Sequence, residues 1–240
     1  ALLMLFALVL LGELRPVIAS DHADYEGVPI SSAFVFATLY LFGFAPAVIL
    51  QAVAILLSEM VQRKDIWKLL FNVGQYVISL AAAWGVLALA GANATLADPR
   101  TVFGAGDLIW VLASWAAYHV VNVALVAGLA HEYGQTWWES FTEDWWYYTG
   151  TTFTSLAISP FVALMAAHAW VMLPLLLVLL LAVYKTASLA RDHQHRALHD
   201  SLTELPNRVM LQRTVEEALG EAGRKGDGAA LFVLDLDRFK

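Results

Sequence analysis

Long apolar segments without charged residues recur along the first 184 residues of the chain. A helix that spans a bilayer needs about 20 apolar residues to cross about 30 Å of hydrocarbon. The pattern predicts six membrane helices, the first of them short, over residues 1–12, 30–57, 69–90, 108–130, 147–167 and 170–184. We therefore expect an all-α polytopic membrane helix bundle over residues 1–183.

The second of these segments contains a potential break. Gly43 and Pro46 lie near its middle, and a proline inside a helix removes one backbone hydrogen bond and clashes with the preceding turn. If the segment forms a pair of shorter helices, the count becomes seven and the N-terminus changes side of the membrane.

The hydrophobic pattern changes after residue 184. Residues 184–199 contain good helix formers and no Gly or Pro, so they are predicted to continue the last span as a helical linker. A turn follows, with Asn207 as the predicted N-cap of an amphipathic helix that ends at Gly223. Its predicted buried stripe comprises Leu211, Val215, Ala218 and Ala222.

An uninterrupted apolar run, residues 229–234, comes after this helix. Such a run is typical of a strand that is buried on both faces of a sheet. Residues 200–240 are therefore predicted to be the start of a soluble α/β domain that follows the membrane bundle.

The charge distribution agrees with this division. Apolar residues make up 60% of the chain and charged residues only 15%, against about 25% charged in soluble domains. The net charge of −7 lies wholly within residues 1–183, so nothing indicates a basic surface for nucleic acid. The absence of cysteine excludes disulfides, thiolate metal sites and Cys nucleophiles.

Lys and Arg in short loops predict the orientation, because they concentrate on the cytoplasmic side. Two clusters separated by four predicted spans mark that side: Arg63, Lys64 and Lys68, and then Lys185, Arg191 and Arg196. In this arrangement the C-terminal domain is cytoplasmic, and Arg15 and Arg100 fall in external loops.

Polar and aromatic residues of the membrane half leave several interpretations open. His119 and Asn122, three residues apart on the fourth span, and His168, at the short turn between the fifth and sixth spans, could bind a metal, haem or a proton, or could make only interhelical hydrogen bonds. The aromatic residues of the 131–148 region could anchor the chain at the membrane interface or line a ligand pocket. Histidines 193, 195 and 199 are interpreted as solvated linker residues.

Two acidic residues follow the predicted strand. Asp235 and Asp237 are separated by Leu236, so their side chains point to opposite faces of the sheet and only one can enter a given site. Carboxylates at the C-terminal end of a strand are well placed for Mg²⁺ and a nucleotide.

Two motifs occur in order, DSLTELPNR at 200–208 and FVLDLDRFK at 232–240. Together they resemble the opening of the GGDEF family of diguanylate cyclases, with Glu204 where Gly is common. The resemblance implies a cyclase-like fold, an α+β sandwich, and the condensation of two GTP molecules to cyclic di-GMP with Mg²⁺ or Mn²⁺. It also implies a homodimer, because each active site uses two domains, and a place in the bacterial inner membrane.

The same resemblance implies roles for individual residues. Asp235 would be the catalytic metal ligand, and the backbone carbonyl of Leu236 a second ligand. The backbone around Phe239 and Lys240 would cradle the triphosphate of GTP. Asp237, Asn207 and Arg208 would be structural.

The sequence begins at Ala1 and ends at Lys240, before the hairpin that names the family. We therefore expect a fragment that is inactive by itself. Two other functions stay open: a catalytically degenerate regulator or receptor coupled to a downstream phosphodiesterase domain, and, with less support, a transporter.

Overall fold

The computed structural model describes residues 1–14, 30–91, 106–132, 145–200, 202–203, 205–225, 228 and 230–232. The chain divides into two compact units, Ala1–Tyr184 and Lys185–Lys240. The helices of the first unit are α1 (Leu2–Leu14), α2 (Ser31–Phe42), α3 (Phe44–Val61), α4 (Ile66–Leu89), α5 (Leu108–Glu132) and α6 (Trp145–His168). A 3₁₀ turn, Trp170–Met172, leads into α7 (Leu173–Leu198), which passes from the first unit into the second, and α8 (Arg208–Lys225) follows.

Helix α2 is the central element of the first unit. All of its residues from Ala33 to Tyr40 are buried, as is Ser31 at its start. A helix that is apolar on every side is stable only when neighbours cover it completely. Here α1, α3 and α6 pack against α2, and α4 packs against α3 and α5.

The segment 30–57 is broken at Gly43, as the alternative interpretation of the sequence allowed. Gly43 has a φ of +84°, a conformation that glycine adopts without the steric penalty other residues incur. Pro46 is the third residue of α3, where the backbone N–H has no partner inside the helix, so the proline removes no hydrogen bond.

Helices α2 and α3 form an antiparallel hairpin. The Ser31 hydroxyl, at the start of α2, donates to Glu13 Oε1 at 2.6 Å, and the Ser58 hydroxyl, in the last turn of α3, donates to the Glu13 carbonyl oxygen at 3.0 Å. Glu13 lies near the end of α1, so α1 and α3 end on the same side of the unit.

The prediction of one span across residues 30–57 is therefore wrong. The assignment of loops to opposite sides of the membrane, which was counted from that single span, is wrong as well. That assignment placed the loops after α1 and after α3 on opposite sides. Arg15 and Arg100 lie outside the described residues, but α1, which precedes Arg15, ends beside α3, which precedes Arg63. The helices of the first unit, in the part of the chain that the structure describes, agree with the alternative of seven helices. The side of the membrane that is cytoplasmic stays a prediction.

Four of the described helices are long and apolar enough to cross a membrane, by length and composition: Phe44–Val61, Ile66–Leu89, Leu108–Leu129 and Thr149–His168. Three apolar helical segments are shorter, namely Leu2–Leu14, Ser31–Phe42 and Trp170–Leu179. With 12 residues, α2 extends about 18 Å, well short of the hydrocarbon thickness. Whether the three shorter apolar segments also enter the membrane, and with them the count of about six spans, stays a prediction.

The second unit agrees with the sequence in its helices and differs in details. The linker is helical as far as Leu198, as predicted. Helix α8 continues through Gly223 to Lys225, because an exposed glycine costs a helix only about 1 kcal/mol and does not have to end it. Leu211 is 50% exposed, so the burial predicted for this residue of the stripe is not seen.

The predicted strand is not confirmed either. Residues 230–232, the described part of the apolar run 229–234, have no regular secondary structure. Strand formation needs a partner strand, and the pairing found in the described part of this unit is an isolated antiparallel bridge between His199 and Pro206. The α/β character of the C-terminal domain therefore stays a prediction.

Candidate functional site

The first of the two sequence motifs forms the junction between α7 and α8, and Asn207 holds this junction together. Its Oδ1 accepts hydrogen bonds from the backbone N–H groups of Val209 (2.9 Å) and Met210 (3.2 Å), which caps α8. Its Nδ2 donates to the carbonyl oxygen of Ala197 in the last turn of α7 at 2.8 Å. The structural role predicted for Asn207 is confirmed.

Asp200 stabilises the turn between the two helices. Its Oδ1 accepts hydrogen bonds from the backbone N–H (3.0 Å) and hydroxyl (2.9 Å) of Thr203 and from the backbone N–H of Leu202 (3.1 Å). These bonds, those of Thr203 first, favour the ionised carboxylate and hold the pKa of Asp200 below its usual range. Sequence reasoning did not assign this role, although Asp followed by Thr three residues later is typical of such a turn.

The residues predicted to perform chemistry lie outside the described residues. This applies to Asp235, Leu236, Phe239 and Lys240, and to the structural Asp237. The departure from the motif at Glu204 lies outside as well. The metal and nucleotide roles of this segment therefore stay predictions.

The two membrane histidines are not brought together. His119 Nε2 lies 3.0 Å from Thr149 Oγ1 of α6, and its ring contacts Phe153 edge-on with centroids 5.7 Å apart. His168 Nδ1 lies 3.1 Å from the Leu164 carbonyl oxygen of its own helix. Because Thr149 and His168 are 19 positions apart on α6, about 28 Å separates them along the helix axis.

This geometry favours the interhelical hydrogen bond over a shared metal or haem. Among the described residues, no group of three or more His, Asp or Glu side chains could hold a metal ion. Asn122, one turn from His119, has an Nδ2 atom that is buried without a hydrogen-bond partner in the described structure.

Aromatic residues connect α2, α5 and α6 in the core. Trp115 Nε1 donates to the hydroxyl oxygen of Tyr40 at 2.7 Å, and both side chains are buried. Phe36 contacts Tyr118 edge-on with centroids 5.1 Å apart. A buried indole N–H needs a hydrogen-bond acceptor, and the Tyr40 hydroxyl is that acceptor here. This bond links α5 to α2.

A second polar cluster, which sequence reasoning missed, joins the ends of α1 and α3 to the start of α2. Glu13 Oε1 accepts hydrogen bonds from Ser31 and from Gln51 Nε2 (2.9 Å). Nearby, Asn72 Nδ2 of α4 donates to Glu59 Oε1 at 2.5 Å, and Lys64 Nζ lies 3.7 Å from the same oxygen. The signal in the sequence was a carboxylate at the end of an apolar helix, a costly residue that is often functional.

Comparison with known proteins places the C-terminal motif in a family. Residues 197–240 match the model of the diguanylate cyclase GGDEF domain. The junction described above and the segment with Asp235 thus lie within the part of the chain that matches the start of a GGDEF domain, and a helical N-terminal region precedes them.

Two curated relatives come from Pseudomonas aeruginosa. The chain is 45% identical over 56 residues to the bifunctional diguanylate cyclase/cyclic di-GMP phosphodiesterase MucR, a match that covers 22% of this chain and 8% of MucR. It is 43% identical over 56 residues to the diguanylate cyclase TpbB, covering 23% of this chain and 12% of TpbB. The similarity thus spans only a small part of either relative. No solved structure matches the chain.

Proposed function

We propose that this chain belongs to a membrane-anchored diguanylate cyclase whose helical N-terminal region regulates the synthesis of cyclic di-GMP from two GTP molecules. The observation that carries the proposal is the match of residues 197–240 to the GGDEF domain, directly after a helix that continues from the membrane bundle. The similarity to the cyclase TpbB supports the same activity.

The residues after the predicted strand suit a divalent cation and a triphosphate. A carboxylate, Asp235, and a backbone carbonyl, that of Leu236, are hard oxygen donors of the kind that Mg²⁺ and Mn²⁺ prefer. A metal held by these residues would supply a positive charge that stabilises the phosphate oxygens during transfer. Backbone N–H groups around Phe239 and Lys240 would hold the phosphates.

The proposed regulation passes along α7. This helix runs from Leu173 to Leu198 without a described break, and Asn207 links its last turn to the cap of α8. A movement of α7 would therefore be passed to the first helix of the GGDEF domain. Because each active site needs two facing domains, we propose that the protein acts as a homodimer in the bacterial inner membrane, with the GGDEF domain in the cytoplasm.

The test uses the full-length protein in lipid nanodiscs, supplied with GTP and Mg²⁺ and assayed by mass spectrometry. We expect cyclic di-GMP from the wild type, none when the metal is chelated, and loss of product in Asp235→Asn, which keeps the size of the side chain but removes its charge. Glu216→Gln, on the exposed side of α8, is the matched control and should retain activity. Absence of product from folded wild type contradicts the proposal.

The similarity to MucR favours a second candidate, because the printed name of that relative includes a phosphodiesterase activity. In this alternative the GGDEF domain is degenerate and regulates the hydrolysis of cyclic di-GMP by a domain downstream. The two candidates differ in one measurement: the alternative predicts that full-length protein consumes added cyclic di-GMP and makes none from GTP.

A further inference from the structure

We propose that the turn between α3 and α4 binds the headgroup of an anionic phospholipid, with Arg63 and Lys68 as the cationic ligands of its phosphate. The turn comprises residues 62–65, between the end of α3 at Val61 and the start of α4 at Ile66. The proposal concerns the first unit and does not depend on the function of the segment that matches the GGDEF domain.

The position of the turn is set by the two helices that it joins. Both α3 and α4 are long and apolar enough to cross a bilayer. A connection of four residues extends at most about 14 Å, so it stays near the lipid headgroups. Large side chains on either side of the turn are exposed, and in a spanning hairpin they would contact lipid: Met60, Val61, Ile66 and Trp67. An indole ring prefers the headgroup layer.

Two cationic side chains are exposed at this level. Arg63 is exposed in the turn itself, and 51% of the Lys68 side chain is exposed in the first turn of α4. Lys68 Nζ lies 5.5 Å from the centroid of the Trp67 ring and 3.7 Å from Asp65 Oδ2. An exposed ion pair of this kind contributes little to stability. A phosphate oxygen can therefore replace the Asp65 carboxylate beside Lys68.

The third cation of this region, Lys64, is used differently. Its Nζ lies 3.7 Å from Glu59 Oε1, and Glu59 is only 5% exposed. The exposed charges of residues 59–68 are thus two cations, Arg63 and Lys68, and the carboxylate of Asp65. This excess of positive charge complements a headgroup with one net negative charge. The headgroup of phosphatidylcholine fits less well, because its own cation opposes the two side chains.

The backbone of Arg63 provides a second, independent observation. Its φ is +56°, and no other non-glycine residue in the described part of the chain has a positive φ. The Arg63 N–H donates to the Met60 carbonyl oxygen at 3.2 Å. The next N–H, that of Lys64, donates to the Glu59 carbonyl oxygen at 3.1 Å. These two bonds define a Schellman motif at the end of α3, with Arg63 at the position where glycine is usual.

An arginine at this position is costly, because its Cβ is crowded at positive φ and glycine avoids that penalty. A residue that is kept in such a conformation indicates a function for its side chain. The planar guanidinium can donate two parallel hydrogen bonds to phosphate oxygens. A phosphate bound by both Arg63 and Lys68 would join the turn to the first turn of α4 and hold this end of the hairpin at the membrane surface.

The experiment uses the full-length protein in nanodiscs with equal amounts of phosphatidylglycerol and phosphatidylcholine. Native mass spectrometry counts the lipids that the protein retains, and the wild type should prefer phosphatidylglycerol several-fold. Arg63→Gly should lose most of this preference. In a thermal unfolding assay with phosphatidylcholine alone, the same variant should unfold at a higher temperature than the wild type, because glycine fits the positive φ. Arg213→Gln removes an exposed cation from α8 and, as the matched control, should keep the preference.

Two further variants separate a specific site from a diffuse surface potential. Arg63→Lys keeps the charge but loses the planar fork, so it should bind phosphatidylglycerol more weakly, whereas a diffuse potential predicts no change. Asp65→Asn keeps a good N-cap residue at the start of α4 and removes the competing carboxylate, so it should raise the preference.

Three results would overturn the proposal. The first is an unchanged lipid preference in Arg63→Gly, and the second is equal binding by Arg63→Lys and the wild type. The third is a rise in Tm when inorganic phosphate is added to wild type in phosphatidylcholine nanodiscs that is lost in Arg63→Gly. That rise would assign the turn to a soluble anion and not to a lipid headgroup.

Discussion

The side-chain amide of Asn207 donates a hydrogen bond to the carbonyl oxygen of Ala197 at 2.8 Å, which joins the start of α8 to the last turn of α7. The same side chain caps α8 through its Oδ1. One residue of the matched segment thus connects the helix that comes from the first unit with the first helix of the segment that matches the GGDEF domain. Any regulation of this domain by α7 would depend on that connection.

Replacing Asn207 separates its two functions. Asn207→Ala should destabilise the start of α8 by about 1 kcal/mol, the usual cost of a lost N-cap, and should also remove the bond to α7. Asn207→Asp keeps the cap and loses only the donor to Ala197. Hydrogen exchange at the Val209 and Met210 amides should accelerate in the alanine variant and remain slow in the aspartate variant; equal acceleration in both would contradict this division of roles.

The turn at Asp200 should weaken in acid. Hydrogen bonds from Thr203 and Leu202 lower the pKa of Asp200 in the folded chain. A group whose pKa is lowered by folding contributes stability above its unfolded pKa, about 4 for Asp, and that contribution is lost as the pH falls through the lower folded value. NMR of the Thr203 amide should show a pH transition below pH 4 that is absent from Asp200→Asn. A transition at or above the ordinary pKa of Asp, about 4, would contradict a lowered pKa of Asp200.

Gly12 should tolerate no larger residue, because α1 and α2 approach each other closely there. A Cβ built at Gly12 would lie 2.9 Å from the Ser31 backbone nitrogen and 3.1 Å from its Cα. Gly12→Ala should therefore push α1 away from α2 at a cost of about 1–3 kcal/mol and disturb the contacts of Glu13. Gly74→Ala on α4, whose added Cβ meets nothing within 4 Å, is the control and should be neutral or stabilising in the same thermal unfolding assay.

Gly43 should resist substitution for a different reason. Its φ of +84° disfavours residues with a Cβ, although the nearest atom to an added Cβ, in Trp84, is 4.0 Å away. Gly43→Ala should cost about 1–2 kcal/mol through the backbone alone. Because its ψ of −173° places Gly43 in a region that essentially only glycine adopts, Gly43→Asn should lose about as much Tm as Gly43→Ala. If both variants unfold like the wild type, the break between α2 and α3 is not held by this conformation.

Features set by local sequence were predictable here. The break at Gly43 was stated as an alternative, and the helical linker and the cap at Asn207 followed from propensity and capping chemistry. The cluster at Glu13 was not predictable, because its hydrogen bonds join residues 18, 38 and 45 positions apart. The histidine pair that the sequence suggested does not form. The packing of α5 against α6, which local sequence does not determine, places His119 beside Thr149 and not beside His168.

Product stoichiometry tests the proposed synthesis of cyclic di-GMP most directly. Full-length protein in a bilayer, supplied with GTP and Mg²⁺, should release two pyrophosphates for each cyclic di-GMP formed, because each 3′-hydroxyl displaces one pyrophosphate. Asp235→Ala should abolish both products. Pyrophosphate release without cyclic di-GMP, or equal product formation by wild type and Asp235→Ala, would contradict the account.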